Sequence, residues 1–252
     1  MKKLYTEERR AEILKQLKLD SRASVSDLAA KLNVSEVTIR ADLRALEKSN
    51  LLLRTHGGAI MPEDEALSFT TRLNTRRSEK TRIAAEAFKH IKNHDSILLD
   101  ASSTCLELAK LLRYEDINVT VTTYSLFAAQ ELVDNPKLNV FLIGGALRNQ
   151  NSVEGLLGVS ILDNIYPEKY FFSARGVTEE GELMDFDLYE LELKNFLFNR
   201  SKYRYCLLDS SKIFSSSVGR FGSLKESEYL FTDTDAPKDL EQRFPELKIE
   251  YC

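Results

Sequence analysis

The segment VSEVTIRADLRALEK, Val34 to Lys48, decides the fold of the first part of the chain. Ser35 is a good N-cap for a helix. The apolar residues that follow recur at spacings of four and three, which puts them on one face of that helix: Ile39, Leu43 and Leu46. The opposite face carries Val37, Ala41, Arg44 and Lys48, flanked by Thr38 and Arg40. Since this outer face holds no large apolar group and is partly basic, it fits the major groove of DNA.

Two shorter helices precede this segment and a hairpin follows it. Thr6 is a candidate N-cap for a first helix that ends near Lys18, and residues 19–24, LDSRAS, are expected to be a loop. Ser26 is expected to cap the second helix. Residues 51–60, LLLRTHGGAI, have the pattern of two extended pieces around a Gly-Gly turn. The whole predicts a winged helix-turn-helix, although the helices alone would also suit a solvated three-helix bundle.

We predict which residues of this unit contact DNA from the chemistry of the duplex. The Ser35 hydroxyl and the free N–H groups at the helix start can hold a phosphate, while Val37 and Ala41 can meet thymine methyl groups. In the hairpin, glycines let the backbone approach a phosphate closely. The predicted contacts are Ser35, Val37, Thr38, Arg40, Ala41, Arg44, Arg54, His56, Gly57 and Gly58.

The charge is distributed unevenly along the 252 residues, whose formal net charge is −4. Residues 1–60 contain 12 Lys and Arg against 8 Asp and Glu, and the rest contains 23 against 31. This is expected if only the first part meets a polyanion. The longest apolar runs are far below the roughly 20 residues that cross a bilayer, and the N-terminus is charged, so we expect a cytoplasmic protein without membrane contact. The three widely separated cysteines favour reduced thiols.

From Glu79 onward the pattern alternates between helices and short apolar strands. Helices are expected at 83–91, 104–112, 125–133 and 188–198, and strands at 96–99, 119–123, 140–143, 170–172, 205–208, 229–232 and 247–250. Such alternation predicts a mostly parallel sheet covered on both faces. Residues 61–78 contain Pro62 and three acids and are expected to be a linker. The predicted domains are therefore 1–60, which binds DNA, and 79–252, which is α/β.

The residues that predict the first domain also resemble a known family. The segments 34–43, 46–47 and 53–59 match the signature V-S-x-x-T-I-R-R-D-L-x-x-L-E-x-x-G followed by R-x-x-G-G-A of the DeoR-type bacterial transcriptional regulators. Ala41 stands where the family often has a second Arg, which removes one contact to DNA. Asn50 replaces the usual Gly, and Asn is the next-best residue for a left-handed helix end.

The resemblance covers nearly the whole chain and implies that 79–252 is a Rossmann-like sensor domain, similar to phosphosugar isomerases, that binds a phosphorylated sugar. Four loops resemble family motifs: Asp100–Thr104 (D-x-G-T-T, with Ser102 for the glycine), Thr123–Ser125 (T-N-S, with Tyr124 for Asn), Gly144-Gly145 with Arg148 nearby, and Asp209–Lys212 (D-x-S-K). All follow predicted strand ends, where open α/β sheets bind ligands. Tyr124 would close the pocket or stack on a sugar ring. The effector residues so implied are Asp100, Ser102, Ser103, Thr104, Thr123, Tyr124, Gly144, Gly145, Arg148, Asp209 and Lys212.

Other polar residues leave alternatives open. The loop residues are also those that any tight turn prefers, and Glu190 with Lys194, spaced i, i+4, suits a surface ion pair as well as a site. His90 and His94 have the same spacing in a predicted helix but no third ligand, so no metal is expected. Cys105 is expected to be a buried small residue rather than a redox sensor. No nucleotide-binding or esterase motif is present in the sequence, and no cofactor is expected.

These observations predict a regulator rather than an enzyme. We expect a repressor of a carbohydrate uptake or catabolism operon, released from DNA by a phosphorylated sugar. Because a pseudo-palindromic operator needs two heads, a homo-oligomer, dimer or tetramer, is expected. The alternative is a sugar-phosphate isomerase or deaminase with an appended basic domain, since Asp100, Asp209, Glu190 and Lys212 are of types that can move protons.

Overall fold

The chain divides into two compact units, Met1–Arg72 and Leu73–Cys252, which we call the head and the body. The computed structural model describes residues 6–20, 22–48, 52–55, 57–60, 69–148 and 151–252. The predicted fold class is confirmed, because a small helix-turn-helix unit precedes a larger α/β unit built on a parallel sheet.

The head contains three helices and a small antiparallel sheet. The helices are α1 (Thr6–Asp20), α2 (Val25–Leu32) and α3 (Glu36–Lys48), and the strands are β1 (Arg22–Ser24), β2 (Leu53–Arg54) and β3 (Gly58–Ile60), in the order β1-β3-β2. The predicted hairpin is confirmed as the antiparallel pair β2 and β3. The expectation of a loop over residues 19–24 was wrong, because three of these residues form β1 and pair with β3.

The cap of α2 also differs from the prediction. Ser24, not Ser26, is the N-cap, and its Oγ accepts a hydrogen bond from Asp27 N at 3.0 Å. Ser24 ends β1 with an extended backbone, which is the conformation that an N-cap requires. At the other end of α2, Asn33 adopts the left-handed conformation with φ 51° and so terminates the helix.

The head core confirms the predicted apolar face of α3. Ile39, Leu43 and Leu46 are buried and pack with Ile13 and Leu17 of α1 and with apolar residues of α2 and the hairpin. Burying one face of α3 in this way leaves its opposite face outward, and that face is the one expected to meet DNA.

Part of the predicted linker is helical. α4 (Phe69–Asn74) and the start of α5 (Arg77–Phe88) fall within 61–78, while residues 61–68 lie outside the described part of the chain. The division between head and body falls within α4, between Arg72 and Leu73.

A seven-stranded parallel sheet forms the centre of the body. Its strands are β4 (Ser96–Leu99), β5 (Val119–Thr123), β6 (Leu138–Leu142), β9 (Lys169–Phe172), β12 (Tyr203–Leu207), β14 (Tyr229–Thr232) and β15 (Lys248–Tyr251), in the order β15-β14-β12-β9-β4-β5-β6. All neighbouring pairs are parallel. Each corresponds to a strand predicted from an apolar run, with ends that agree within two residues.

The four predicted helices of the body are present, although α5 begins and ends earlier than predicted, whereas α9 and the smaller sheets were missed. Besides α5, the helices are α6 (Ser103–Leu112), α7 (Leu126–Leu132), α8 (Leu188–Arg200) and the short α9 (Leu240–Arg243). The sequence did not indicate the antiparallel pair β7 (Ala146–Arg148) and β8 (Ser152–Glu154), or the sheet β10 (Gly176–Val177), β11 (Glu182–Asp185) and β13 (Gly219–Ser223). These strands are two to five residues long, too short for a clear alternating pattern.

Two sequence expectations about helices bear on possible ligands. α5 ends at Phe88, and His94 has a left-handed φ of 69°. The expectation that His90 and His94 lie on one face of a helix was therefore wrong. Within the described residues, no cluster of three or more His, Cys, Asp or Glu suits a metal ion. In the same part of the chain, no helix combines the length and apolar character needed to span a membrane.

Candidate DNA-binding surface and effector site

The start of α3 is held by the predicted cap. Ser35 Oγ accepts a hydrogen bond from Thr38 N at 3.2 Å and lies 2.8 Å from Thr38 Oγ1. Both hydroxyls are therefore engaged at the helix N-terminus, where backbone N–H groups favour an anion. Ser35 is exposed, so this end of α3 is accessible.

The outer face of α3 carries most of the predicted DNA-contacting side chains in exposed positions, and Thr38 is partly buried. Arg40, Ala41 and Arg44 are exposed, and Val37 is 70% exposed, which is high for an apolar side chain. Arg44 Nε donates to the carbonyl oxygen of Arg40 at 3.2 Å. This face combines the methyl groups of Val37 and Ala41 with basic side chains, so it can contact both base edges and phosphates.

One residue on this face was not anticipated from the sequence. Glu36 Oε2 accepts a hydrogen bond from Arg40 Nη2 at 2.7 Å, one helical turn away. Both side chains are about half exposed. Glu36 therefore occupies the Arg40 guanidinium, and a phosphate would compete with this carboxylate for it.

A buried ion cluster joins α1 to α3. Asp42 is 2% exposed, and its two carboxylate oxygens lie 2.5 Å from Arg9 Nε and 3.1 Å from Arg10 Nε. Because Asp42 is buried next to the exposed Ala41, the cluster fixes the rotation of that helix about its axis. The sequence analysis did not single out these three residues.

The hairpin contributes Arg54 and the glycines. Arg54 is exposed, and its Nε lies 3.1 Å from Glu47 Oε2. Gly57 is exposed with open space around it, whereas Gly58 is buried and an added Cβ would overlap the Ala23 carbonyl of β1. Strand contact therefore accounts for Gly58, and only Gly57 of the pair is free to approach a phosphate. His56 lies outside the described residues.

In the body, the polar loops lie at the carboxyl edge of the parallel sheet. The chain runs from β4 outward through β5 to β6, then returns to the other side of β4 and continues through β9, β12 and β14. The order of strands thus reverses between β4 and β9. Open α/β sheets bind ligands at such a point, and Asp100 and Ser173 follow these two strands.

Ser173 connects two of these loops, although the sequence analysis missed it. Its backbone N donates to Asp100 Oδ2 at 2.7 Å, and its Oγ accepts from Lys212 Nζ at 3.3 Å. Lys212 Nζ also lies 3.9 Å from Asp209 Oδ2. The structure therefore brings together Asp100, Asp209 and Lys212, all of which were predicted as effector residues.

The Asp100 loop is closed by local hydrogen bonds. Asp100 is fully buried, and its Oδ1 accepts from Ser102 N at 2.9 Å. Ser102 is the N-cap of α6, with its Oγ accepting from Cys105 N at 3.1 Å. Ser103 and Thr104 are also buried, and burial raises the pKa of the Cys105 thiol well above its usual value. Cys105 is therefore a buried small residue, as the sequence predicted.

The loop after β5 is joined to the Asp100 loop by Asn151, another residue that the sequence analysis missed. The Ser125 hydroxyl donates to Asn151 Oδ1 at 2.9 Å, and Asn151 Nδ2 donates to the Ala101 carbonyl at 2.9 Å. Thr123 is buried with its Oγ1 donating to the Leu99 carbonyl at 2.9 Å. These bonds fix the two loops relative to each other.

Tyr124 lies in the core rather than on a pocket surface. It is fully buried among residues that include Ile143, Val153 and Tyr170, so its ring offers no open face for stacking. Burial, together with the nearby Asp100 carboxylate, raises the pKa of the Tyr124 and Tyr170 phenols well above the usual range.

The two glycines after β6 have different surroundings, and only Gly145 packs against β8. An added Cβ on Gly145 would come within 2.9 Å of the Glu154 carbonyl, and one on Gly158 would overlap Gly144. An added Cβ on Gly144 itself would meet no atom within 4 Å, so close packing accounts for Gly145 but not for Gly144. The backbone of Arg148 lies in β7, paired with Ser152, while its side chain lies outside the described part.

Glu190 and Lys194 are buried, so the interpretation of this pair as a surface ion pair, which the sequence left open, is wrong. Lys194 Nζ lies 2.6 Å from Asp185 Oδ2, 3.4 Å from Glu190 Oε1 and 3.7 Å from Asp100 Oδ2. It also donates to the Ser173 carbonyl at 3.0 Å. Although burial disfavours its charge, these three carboxylates raise the pKa of Lys194 above its usual value.

Asp185 is the other half of this cluster. Burial alone would raise its pKa, but Lys194 and Arg175 lower it below the usual value. Arg175 Nε lies 3.8 Å from Asp185 Oδ1. The reversal point of the sheet is thus surrounded by carboxyl and basic side chains in ion-pair contact.

Two family models match the chain in the order of its two units. The model described as DeoR-like helix-turn-helix domain matches residues 9–65, and that described as DeoR C terminal sensor domain matches residues 75–234. Together they span the candidate DNA-binding surface and all four predicted effector loops.

Curated relatives match over nearly their full length. The HTH-type transcriptional regulator GolR of Listeria innocua is 38% identical over 244 residues, which cover 96% of each chain. The HTH-type transcriptional repressor GlcR of Bacillus subtilis is 32% identical over 235 residues, 91% of this chain and 89% of the relative. The glycerol-3-phosphate regulon repressor of Escherichia coli is 28% identical over 246 residues, 95% of this chain and 96% of the relative.

Solved structures resemble the chain only distantly. Ribose 5-phosphate isomerase A of Methanocaldococcus jannaschii is 18% identical with a TM-score of 0.43, covering 55% of each chain. The eIF2B delta subunit of Chaetomium thermophilum is 14% identical with a TM-score of 0.42, covering 82% of this chain and 83% of that chain. The matched domains and the relatives identify the family instead: the protein belongs to the DeoR family of transcriptional regulators, which bind DNA and are not enzymes.

Proposed function

We propose that this regulator represses a carbohydrate uptake or catabolism operon and leaves its operator when a phosphorylated sugar binds the body. The proposal that the head binds DNA rests on the outer face of α3, which is exposed and basic. The inner face of α3 is buried and is held to α1 by the ion pair between Asp42 and Arg9. A helix so held can enter the major groove without rearrangement.

Each predicted DNA residue has a proposed role. Ser35 and Gly57 contact phosphate through the backbone, and Thr38, Arg40 and Arg44 contact bases or phosphates. Val37 and Ala41 meet thymine methyl groups. Arg54 and His56 complete the contacts from the hairpin, and Gly58 supports the hairpin by allowing β1 and β3 to pack closely.

The proposed effector site lies at the carboxyl edge of the sheet, between the Asp100 loop and the Asp209–Lys212 loop. Lys212 supplies a positive charge there, and its side chain is 17% exposed, so a ligand can reach it. The backbone N–H groups at the start of α6 favour an anion. In support, one relative is named as the repressor of a glycerol-3-phosphate regulon.

We further propose that the protein acts in the cytoplasm as a dimer or tetramer. A pseudo-palindromic operator presents two half-sites, so two heads must bind at once. Symmetric homo-oligomers supply such pairs of heads. A sedimentation measurement of the purified chain, alone and with operator DNA, tests this part directly.

A two-part experiment tests the proposed function. DNA sequences retained by the full chain are selected from a random library, and a thermal-shift screen then compares phosphorylated sugars with their unphosphorylated counterparts. We expect a specific, pseudo-palindromic sequence and stabilisation by a phosphorylated sugar only. Failure to enrich any sequence, or turnover of a sugar phosphate in place of simple binding, contradicts the proposal.

A further inference from the structure

Arg76 lies at the turn between α4 and α5, where the chain leaves the helix that leads to the head. Its φ of 49° is left-handed, a conformation that a residue with a Cβ adopts only when its surroundings hold it there. The next turn of α5 adds a second tie, because Lys80 Nζ donates to the Thr75 carbonyl at 2.8 Å. The shape of this turn therefore depends on side-chain contacts.

The Arg76 guanidinium reaches two loops at the carboxyl edge of the sheet. Its Nη2 donates to Ser210 Oγ at 2.8 Å and to Asp233 Oδ1 at 3.1 Å, and its Nε lies 3.3 Å from Asp209 Oδ1. Asp209 and Asp233 are almost completely buried. A weaker contact to Glu79 on α5, at 3.6 Å, completes its main surroundings.

The loop that Arg76 holds is the one that carries Lys212. Asp209 lies between two cations, with Oδ1 near Arg76 and Oδ2 3.9 Å from Lys212 Nζ. Ser210 N donates to Asp233 Oδ2 at 2.7 Å, so Asp233 binds both the loop and Arg76. A change of charge at residues 209–212 therefore acts directly on the Arg76 guanidinium.

We propose that Arg76 is the positioning residue that couples occupancy of the Asp209–Lys212 loop to the α4–α5 turn. This inference rests on the proposed function, which places a phosphate beside Lys212. A phosphate there takes Lys212 from Asp209 and adds negative charge, and both changes draw the guanidinium toward the loop and away from Asp233 and Glu79. The left-handed turn at Arg76 then loses its contacts to Asp233 and Glu79, and α4 becomes less stable.

A mechanism of this kind requires the ligand to bind one arrangement better than the other. The difference here is the position of one cation, which pairs with Asp233 and Glu79 in the unliganded body and with the occupied loop otherwise. Asp209 contacts Arg76 in both arrangements and remains the fixed point. The signal therefore passes through contacts between neighbouring charged groups and needs no movement of the parallel sheet.

The test is hydrogen–deuterium exchange on the full chain, with inorganic phosphate as the probe and sodium chloride of equal ionic strength as the reference. We expect phosphate to slow exchange in residues 209–212 and to speed exchange in residues 69–76 of the native chain. In Arg76→Gln, exchange in 69–76 is already about tenfold faster without phosphate, and phosphate then changes only 209–212.

Two further variants complete the experiment. Arg82→Ala removes another arginine of α5, whose Nε lies 3.3 Å from the Cys252 carbonyl, and should behave like the native chain. Arg76→Lys keeps the charge but cannot bridge several partners, and serves if Arg76→Gln fails to fold; its response in 69–76 should be weakened.

Two results overturn the inference: unchanged exchange in 69–76 in Arg76→Gln, or protection of 209–212 by phosphate in the native chain without any change in 69–76. No protection of 209–212 in the native chain contradicts instead the proposed phosphate site, and with it release by phosphate. The comparison of Arg76→Gln with Arg82→Ala then still decides whether Arg76 holds the turn.

Discussion

The head and the body place their charged side chains in opposite ways. On the head, Arg40 and Arg44 lie exposed on the outer face of α3, where an external anion can reach them. In the body, Lys194 is buried among Asp185, Glu190 and Asp100. Exposed charges contribute little to stability and are available for binding, whereas a buried cluster must remain neutralised for the unit to fold.

This difference teaches which effects of mutation can be separated. In the head, binding and folding depend on different faces of α3, so a variant can lose DNA without losing stability. In the body, Asp100 both contributes to the proposed effector site and pairs with Lys194, so the two effects overlap. Lys212, which is partly exposed, is the better residue for testing effector binding alone.

Removal of Lys194 is expected to have the largest effect. Lys194→Ala removes the nearest cation from three buried carboxylates, of which Asp185 keeps the more distant Arg175, and should lower the free energy of unfolding of the body by about 3–5 kcal/mol. Urea denaturation measures the change. The exposed residue Lys238 provides a matched control, since Lys238→Ala should change the stability by less than about 0.5 kcal/mol. Equal stability of the two variants would show that the buried cluster does not hold the body together.

Removal of a basic side chain from α3 is the next largest. Arg44→Ala or Arg40→Ala should weaken operator binding by about 1–3 kcal/mol, and should lower the salt dependence by about one counterion if the lost contact is to phosphate. Fluorescence anisotropy at several salt concentrations measures both. Arg220→Ala, at an exposed arginine of the body, is the control and should leave DNA affinity unchanged. If neither α3 variant weakens binding, α3 is not the recognition helix.

Acid should destabilise the body through carboxylates whose pKa values are lowered on folding. Burial alone would raise the pKa of both Asp185 and Asp233. The charges of Lys194 and Arg175 nevertheless lower the pKa of Asp185 below 3.8. Hydrogen bonds from Ser210 to Asp233, together with the charge of Arg76, likewise lower the pKa of Asp233 below 3.8. Asp185 and Asp233 therefore add to the free energy of unfolding above about pH 3.8, and this stabilisation is lost as the pH falls through the pKa of each group in the folded state. Each pKa unit by which folding lowers a group's pKa contributes about 1.4 kcal/mol. Chemical denaturation between about pH 2 and pH 6 follows this loss of stability.

The Asp233→Asn variant sharpens that measurement. It removes one of the two titrating groups, so the stability of the body should fall less steeply with acid than in the native chain. If the free energy of unfolding of this variant fell as steeply with acid as that of the native chain, Asp233 would not contribute to the acid sensitivity.

The smallest effect concerns Glu36. Glu36→Gln frees the Arg40 guanidinium and removes a negative charge from the surface that meets phosphate, so operator binding should tighten by about 0.5 kcal/mol. Anisotropy at low salt is the suitable measurement, because screening weakens exposed charges. Weaker binding in this variant would mean that Glu36 itself reads the DNA.

The fold could be predicted where the signals were local. Ser35 and the spacing of Ile39, Leu43 and Leu46 determine α3, and the apolar runs of β4, β5 and β14 gave their bounds as observed. Such caps and periodicities depend only on neighbouring residues. The short strands β1, β7 and β8 form through pairing with other segments, so their own sequences did not reveal them.

The candidate site was predicted less completely, because its connections are not local. Ser173 and Asn151 join loops that are distant in sequence, and no motif marks them. Glu190 and Lys194 have the same spacing whether a helix lies on the surface or in the interior. Burial of α8 decided the matter, and its apolar residues do not form one clean face that would have indicated this burial.

The most direct test of the account is to titrate sugars into the complex of the full chain with its selected DNA and to follow release by anisotropy. We expect a phosphorylated sugar to release the native chain, its unphosphorylated counterpart to have no effect, and Lys212→Ala to bind the same DNA without being released. Release of Lys212→Ala at the same concentration as the native chain, or release by the unphosphorylated sugar, would contradict the account.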